Sequence, residues 1–235
     1  SDVCSSDLNP DSDTAARDLV MGLGDLADRL VKRGQPGDVE IALAYSQRAL
    51  ETAERSLRAN PGSVAAARII VECLHNLAGV LLRRGQPHDG GTAFDHCQRA
   101  LEIDEGLLRA NPGSSNAARS VAESLGVLAE LLVNRGLRDD TEAALAYCHR
   151  ALQIRQDLLR ADPGFGDAAR DVTHSLSLLV DLLSKRGKPG DAEAALSHSC
   201  RRLEISEALL KDDPNSRSEE HTSELQSRFG ISYAV

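Results

Sequence analysis

The feature that most constrains the fold is an internal repeat with a period of 51 residues. Proline, arginine, glycine and leucine all recur at this spacing, without insertion or deletion, across residues 9–216. The recurring residues include Arg17, Arg68, Arg119 and Arg170, then Gly34, Gly85, Gly136 and Gly187, and Leu26, Leu77, Leu128 and Leu179. A period of this length is the signature of stacked repeats. We therefore predict one repeat domain over 9–216, with copies at 10–60, 61–111, 112–162 and 163–213.

Each copy is predicted to contain two helices. In the second copy, apolar residues recur at steps of three and four, which is the pattern of an amphipathic helix. The first stripe consists of Ala67, Ile70, Leu74, Leu77, Ala78 and Leu81, and the second of Ala93, Cys97, Ala100, Leu101, Leu107 and Leu108. The sequence Arg83-Arg84-Gly85 ends the first helix, and Asn111-Pro112 ends the second. With only 3% aromatic residues and no Trp, the chain has the Ala- and Leu-rich core of close-packed helices. We expect eight helices of about 20 residues, antiparallel because the links are short.

These residues resemble the tetratricopeptide repeat, whose pattern of about 34 residues spaces large and small apolar positions over two helices and closes on proline. In the third copy the matching residues are Leu125, Leu128, Ala129, Leu132, Ala144, Cys148 and Ala151. The aromatic signature positions hold leucine, and the Phe position holds Ser46, Cys97, Cys148 or Ser199. The resemblance implies an all-α, right-handed α-solenoid of four helix-turn-helix repeats, whose first helices line a concave groove.

The two ends of the chain have nothing in common with the repeats. Residues 217–223 can be encoded by a DNA segment whose reverse complement encodes residues 1–8, and that segment resembles a sequencing-library adapter. We expect residues 1–8 and 217–235 to be adapter-derived or disordered tails, with 229–235 as further read-through. On this interpretation, the natural reading frame is truncated at both ends.

Several function classes are disfavoured. No catalytic motif is present, so we expect neither an enzyme nor a cofactor site. The formal net charge of −9 argues against nucleic acid or an anionic membrane as partner. The pairs His96-Cys97 and Cys148-His149 are adjacent on a helix and point to different faces, so we expect no metal site. Scattered cysteines without CxxC spacing, no signal peptide and no apolar run of about 20 residues favour a cytoplasmic protein.

A second set of charged residues recurs in register with the proline. Glu54 and Glu105 lie seven residues before it, and Arg68 and Arg119 lie seven residues after it. Positions equidistant from a turn lie opposite each other in an antiparallel helix pair. We therefore predict the structural pairs Glu54–Arg68 and Glu105–Arg119, in preference to an anion-binding row of arginines.

The resemblance also indicates which residues would face the groove. Two rows on the first helices are Asp28, Gly79, Glu130 and Asp181, and Met21, Glu72, Glu123 and His174. Other candidates nearby are His75, Asn76, Arg83 and Lys185. The alternative is that these charged rows form an ordinary solvated face. If the groove is used, its acidic middle favours a basic or mixed peptide.

The leading functional hypothesis is a protein-interaction scaffold, a segment of a longer bacterial repeat protein. The alternative is the repeat arm of a multidomain bacterial enzyme or signalling protein, such as a kinase, protease or nucleotide-binding switch, whose active domain is missing. A third reading is self-association through exposed repeat ends. In the last copy, Arg202 replaces the small residues Ala49, Ala100 and Ala151, so a further copy would meet a charge there.

Overall fold

The computed structural model describes residues 10–136, 140–162 and 166–212, and this part of the chain is built from helices alone. The eight helices are α1 (Pro10–Arg33), α2 (Asp38–Ala59), α3 (Val64–Arg84), α4 (Asp89–Ala110), α5 (Ser115–Arg135), α6 (Asp140–Ala161), α7 (Gly166–Arg186) and α8 (Asp191–Asp212). The predicted all-α fold of helical hairpins is therefore confirmed. The predicted tails, 1–8 and 217–235, lie outside the described residues.

The chain divides into two compact units within α6, between Ala151 and Leu152. In the first unit, α1 packs on α2, α3 on α4, and each second helix on the first helix of the following copy; α1 also contacts α3. In the second unit, α7 packs on α8. Sequential neighbours are thus neighbours in space, as in a repeat fold.

The core follows the predicted apolar stripes. Every residue of the first stripe, including Ile70 and Leu74, is buried, and so are Ala93, Cys97 and Ala100 on α4. Small residues on the second helices let the helices approach closely, while leucines on the first helices fill the space between them. Helix α3 is apolar and long enough to cross a membrane by length and composition, but more than half of its most apolar stretch is buried in the protein. This is the packing of a core helix.

Local sequence sets the helix ends. The side chain of Ser63 accepts a hydrogen bond from the backbone N–H of Ala66, and Ser114 does the same for Ala117. Both are N-caps that satisfy an otherwise unpaired donor. Gly85 ends α3 at a φ of 67°, in the left-handed region that favours glycine.

An arginine and an aspartate join the two helices of each hairpin across the short loop. Arg84 at the end of α3 donates to both carboxylate oxygens of Asp89 at the start of α4, at 2.9 and 2.5 Å. Asp89 also accepts from the backbone N–H of Gln86. The same pair recurs in the other copies, as Arg33–Asp38, Arg135–Asp140 and Arg186–Asp191. The two helices of each hairpin are therefore joined by a two-pronged, charge-assisted contact.

Candidate interaction groove between the first helices

A groove runs between α1 and α3, the first helices of copies one and two, and is floored by Ser46 of α2. It contains two adjoining cavities of about 290 and 220 Å³. Four residues line both cavities: Gly24, Asp28, Ser46 and Asn76. We call this the α1–α3 groove. The groove is open between its walls because Gly24 on α1 and Gly79 on α3 carry no side chains.

Seven of the twelve groove residues proposed from the sequence line this groove. Asp28 and Asn76 line both cavities, Met21 and Glu72 line the larger one, and the smaller one is lined by His75, Gly79 and Arg83. These seven residues come from copies one and two only.

The other five candidates lie further along the chain. Glu123 is exposed on α5, and Glu130 is partly buried on the same helix. His174, Asp181 and Lys185 are exposed on α7, in the second unit. Their role in binding stays a prediction.

The larger cavity combines apolar walls with carboxylates. Val20, Met21 and Ile69 line it together with Asp25, Asp28 and Glu72, and the described residues that line it include no basic side chain. Burial raises the pKa of Glu72, and the nearby charge of Glu123 adds to this effect. A carboxylate with a raised pKa is one that gains from an approaching cation. The cavity can therefore accept a side chain with an apolar stem and a positive end.

Ser46 supplies an unsatisfied hydrogen-bonding group at the bottom of the groove. The residue is only 2% exposed, and its Oγ has no hydrogen-bond partner in the structure. Leaving a buried hydroxyl unpaired costs about 1–3 kcal/mol. In the next two copies the equivalent residues are Cys97 and Cys148, whose thiols lose little by burial. Ser46 is thus a hydrogen-bonding group that a ligand in the groove can satisfy.

Beside the groove lies a buried polar cluster that the sequence reasoning did not find. Ser124 of α5 donates a hydrogen bond from Oγ to Oδ2 of Asp104 at 2.6 Å, and its Oγ lies 3.2 Å from Nε2 of His75. Burial lowers the pKa of His75 to about 4, which keeps its ring neutral near pH 7. The pKa of Asp104 is raised by burial, and its Oδ1 has no partner. The only sequence signal was a charge at a position where the first copy has Ala53.

The three residues of this cluster are those of a hydrolase triad, but their order is different. In a triad the histidine lies between the serine and the carboxylate, and the serine reaches substrate. Here the serine lies between the other two, and Ser124 is fully buried. The cluster is therefore a structural hydrogen-bond network. Among the described residues, no three His, Cys, Asp or Glu side chains are grouped to hold a metal ion.

The structure shows arginine partners for Glu54 and Glu105 that were not predicted. Glu54 is bound by Arg99 of α4 at 2.7 Å and by Arg58 at 3.8 Å, rather than by Arg68. Glu105 is bound by Arg150 of α6 at 2.6 Å and by Arg109 at 3.9 Å, and its predicted pairing with Arg119 stays a prediction.

The glutamates take these partners for a geometric reason. Counting residues from the turn fixes the height of a side chain along the helix pair but not the side on which it lies. Glu54 and Glu105 lie on the side of their helix that faces the second helix of the following copy. Nε of Arg68 is instead buried without a partner.

The chain matches no protein-family model and no curated protein. Among solved structures it is similar to the de novo designed helical repeat protein DHR64, with a TM-score of 0.53 and 21% identity over 86% of this chain and 97% of that one. It is also similar to the protein of the DHF58 filament, with a TM-score of 0.58 and 21% identity over 85% of this chain and 96% of that one. These similarities show that the chain has a helical-repeat fold.

Proposed function

We propose that this protein is an interaction scaffold whose α1–α3 groove binds a basic segment of a partner protein. The observation that carries the proposal is the larger cavity, in which three carboxylates surround an apolar pocket with an unsatisfied hydroxyl at its floor. A lysine or arginine side chain would bury its stem against Val20 and Met21 and bring its charge to the carboxylates. The groove is local to copies one and two, so the proposal also holds if the hairpins form an arm of a longer bacterial enzyme.

An ion pair between Asp28 and Lys32 reduces the negative charge of the groove. They form an exposed ion pair at 2.6 Å, so Asp28 is already partly neutralised. Asp25 and Glu72 remain as the carboxylates that a ligand would engage. Because the ligand's charge would lie at the edge of the groove, its affinity should fall as salt is added.

A peptide-display selection on the full chain tests the proposal. We expect enrichment of peptides with a lysine or arginine beside apolar residues, and we expect the affinity of a selected peptide to fall with ionic strength. The double variant Asp25→Asn/Glu72→Gln should lose binding. The double variant Glu51→Gln/Glu102→Gln removes the same charge from exposed positions outside the groove and should bind normally.

A steric pair of variants provides a second control. Gly24→Leu fills the groove, since a Cβ at Gly24 meets only Nδ2 of Asn76, at 3.7 Å. Gly91→Leu places the same side chain on α4, where a Cβ meets nothing within 4 Å. Binding that survives Gly24→Leu, or a selection that enriches acidic peptides, would overturn the proposal.

A further inference from the structure

Helix α8 exposes two apolar residues whose equivalents in the earlier copies are buried or, at Phe94, half-buried. Leu203 is 59% exposed, whereas its equivalents Leu50, Leu101 and Leu152 are exposed by 9% or less. Leu196 is 65% exposed, and its equivalent Leu145 is buried. The earlier copies are each followed by another copy, and α8 presents the same apolar positions uncovered.

Helix α1 exposes the complementary face. Leu19 is 42% exposed, although Ile70, Val121 and Val172 at the equivalent positions are buried. Leu26 is 49% exposed, although Leu77, Leu128 and Leu179 are buried. These leucines are the positions that a preceding copy would cover. The α8 face and the α1 face are therefore the two halves of an interface that already exists between copies.

The ion pairs between second helices give this interface a register. A glutamate of one copy pairs with the arginine 45 positions later, as Glu54–Arg99 at 2.7 Å and Glu105–Arg150 at 2.6 Å. The same positions at the two ends hold an exposed Arg48 on α2 and an exposed Glu207 on α8. Within the chain neither has the partner that Glu54, Glu105, Arg99 and Arg150 have. Between copies three and four the glutamate position holds Gln156, and Arg201 pairs with Glu204 of its own helix at 2.8 Å. If α8 of one molecule met the α1–α2 hairpin of a second molecule, Glu207 of the first would lie opposite Arg48 of the second.

Arg202 decides which first helix can dock on α8. Its equivalent in copy one, Ala49, lines the same cavity as Ile69 and Cys73 of the following first helix. The residues of α1 at those two positions are Asp18 and Gly22. A Cβ at Gly22 would meet nothing within 4 Å, and Asp18 is exposed. Helix α1 therefore offers a space for the arginine stem and a carboxylate for its charge.

The other first helices lack this combination. The equivalents of Asp18 and Gly22 are Ile69 and Cys73 on α3, Ser120 and Ser124 on α5, and Asp171 and Ser175 on α7. In the single chain, Arg202 folds back and donates to Oγ of Ser177 at 2.9 Å. The positive charge of Arg202, which would disfavour packing against a following repeat, is thus matched by Asp18 on α1.

We propose that copies of this chain associate end to end, with α8 of one copy packed against α1 and α2 of the next. Leu203 and Leu196 are covered by the apolar face of α1 of the second molecule. Glu207 pairs with Arg48 of that molecule, and Arg202 reaches its Asp18. Each added molecule presents the same α1 and α8 faces, so association continues into longer assemblies as concentration rises.

Sedimentation of the full chain over a wide range of concentration tests the proposal. We expect the mass to rise with concentration in steps of one chain. Leu203→Glu and Leu26→Glu should each abolish the rise, and far-UV circular dichroism should show unchanged helix content because both side chains are exposed in the single chain. A mass that stays at one chain throughout would overturn the proposal.

A charge exchange tests the register. Arg48→Glu and Glu207→Arg should each weaken association by about tenfold, because an attractive contact becomes repulsive. Mixing the two variants should restore association, since each then supplies the opposite charge to the other. Glu102→Arg, at an exposed position on α4, is the control and should have no effect. If Leu203→Glu abolishes association but the mixture is no better than either variant alone, the proposed register is wrong.

Discussion

Two equivalent leucines in different copies should differ sharply in their contribution to stability. Leu128 on α5 is fully buried, whereas Leu26 on α1 is 49% exposed. Leu128→Ala removes apolar contacts and leaves a cavity, which costs about 3–4 kcal/mol of the free energy of unfolding. Leu26→Ala loses about half of the transfer term and leaves no enclosed cavity, so we expect a cost of about 1 kcal/mol.

The assay is urea unfolding followed by far-UV circular dichroism, since the chain has no Trp to report by fluorescence. Repeat proteins can unfold copy by copy, so hydrogen exchange of the affected hairpin should accompany it. Both measurements should be made at low protein concentration, where a second molecule does not cover Leu26. If the two variants lose the same free energy, the interpretation of α1 as an uncovered face is wrong.

Three further predictions concern the buried polar and charged groups. Burial raises the pKa of Cys97 to about 12, so peptide mapping should show a thiol reagent modifying the exposed Cys200 before the buried Cys97; modification of these two at equal rates would contradict the packing. Asp104→Asn should raise the free energy of unfolding at neutral pH by about 1 kcal/mol, because it removes a desolvated charge but keeps a hydrogen-bond acceptor for Ser124. Because burial raises the pKa of Asp104, protonation stabilises the wild type. The difference in free energy of unfolding between the variant and the wild type, measured by urea unfolding, should therefore shrink as pH falls. A variant that is much less stable than the wild type at neutral pH would refute this. Asp89→Asn should lower stability at neutral pH because it removes the contact with Arg84. That contact lowers the pKa of Asp89 below its usual 3.8, so the wild-type advantage should disappear in thermal melts only as pH falls through the lowered value; an advantage that persists in strong acid would argue against the ion pair.

The helices could be predicted from the sequence because their determinants are local. The apolar period, Gly85 at the end of α3 and Ser63 at the start of it act within a few residues. The stacking of copies followed from the period itself, since a hairpin with one buried face needs a neighbour. The Arg84–Asp89 pair was also within reach, as a basic residue, a glycine and an aspartate recur at fixed spacing in all copies.

The contacts that could not be predicted depend on rotation about the helix axes. The pair Glu54–Arg99 joins two second helices whose relative rotation is not contained in the spacing of either. The hydrogen bond between Ser124 and Asp104 likewise joins two different helices, and in the next copy Arg155 donates to Ser175 at the equivalent positions. The groove residues of copies one and two were found because they share one face of neighbouring helices. The unpaired hydroxyl of Ser46 was missed because its neighbours come from another helix pair.

The central claim is that the α1–α3 groove is a binding site for a basic segment. The most direct measurement is NMR of the full chain titrated with a selected basic peptide, with the glycine amides as probes. We predict that the amide signals of Gly24 and Gly79 shift progressively and saturate, while those of Gly113 and Gly187 stay in place. Saturable binding that moves Gly113 or Gly187 but leaves Gly24 and Gly79 unchanged would contradict the claim.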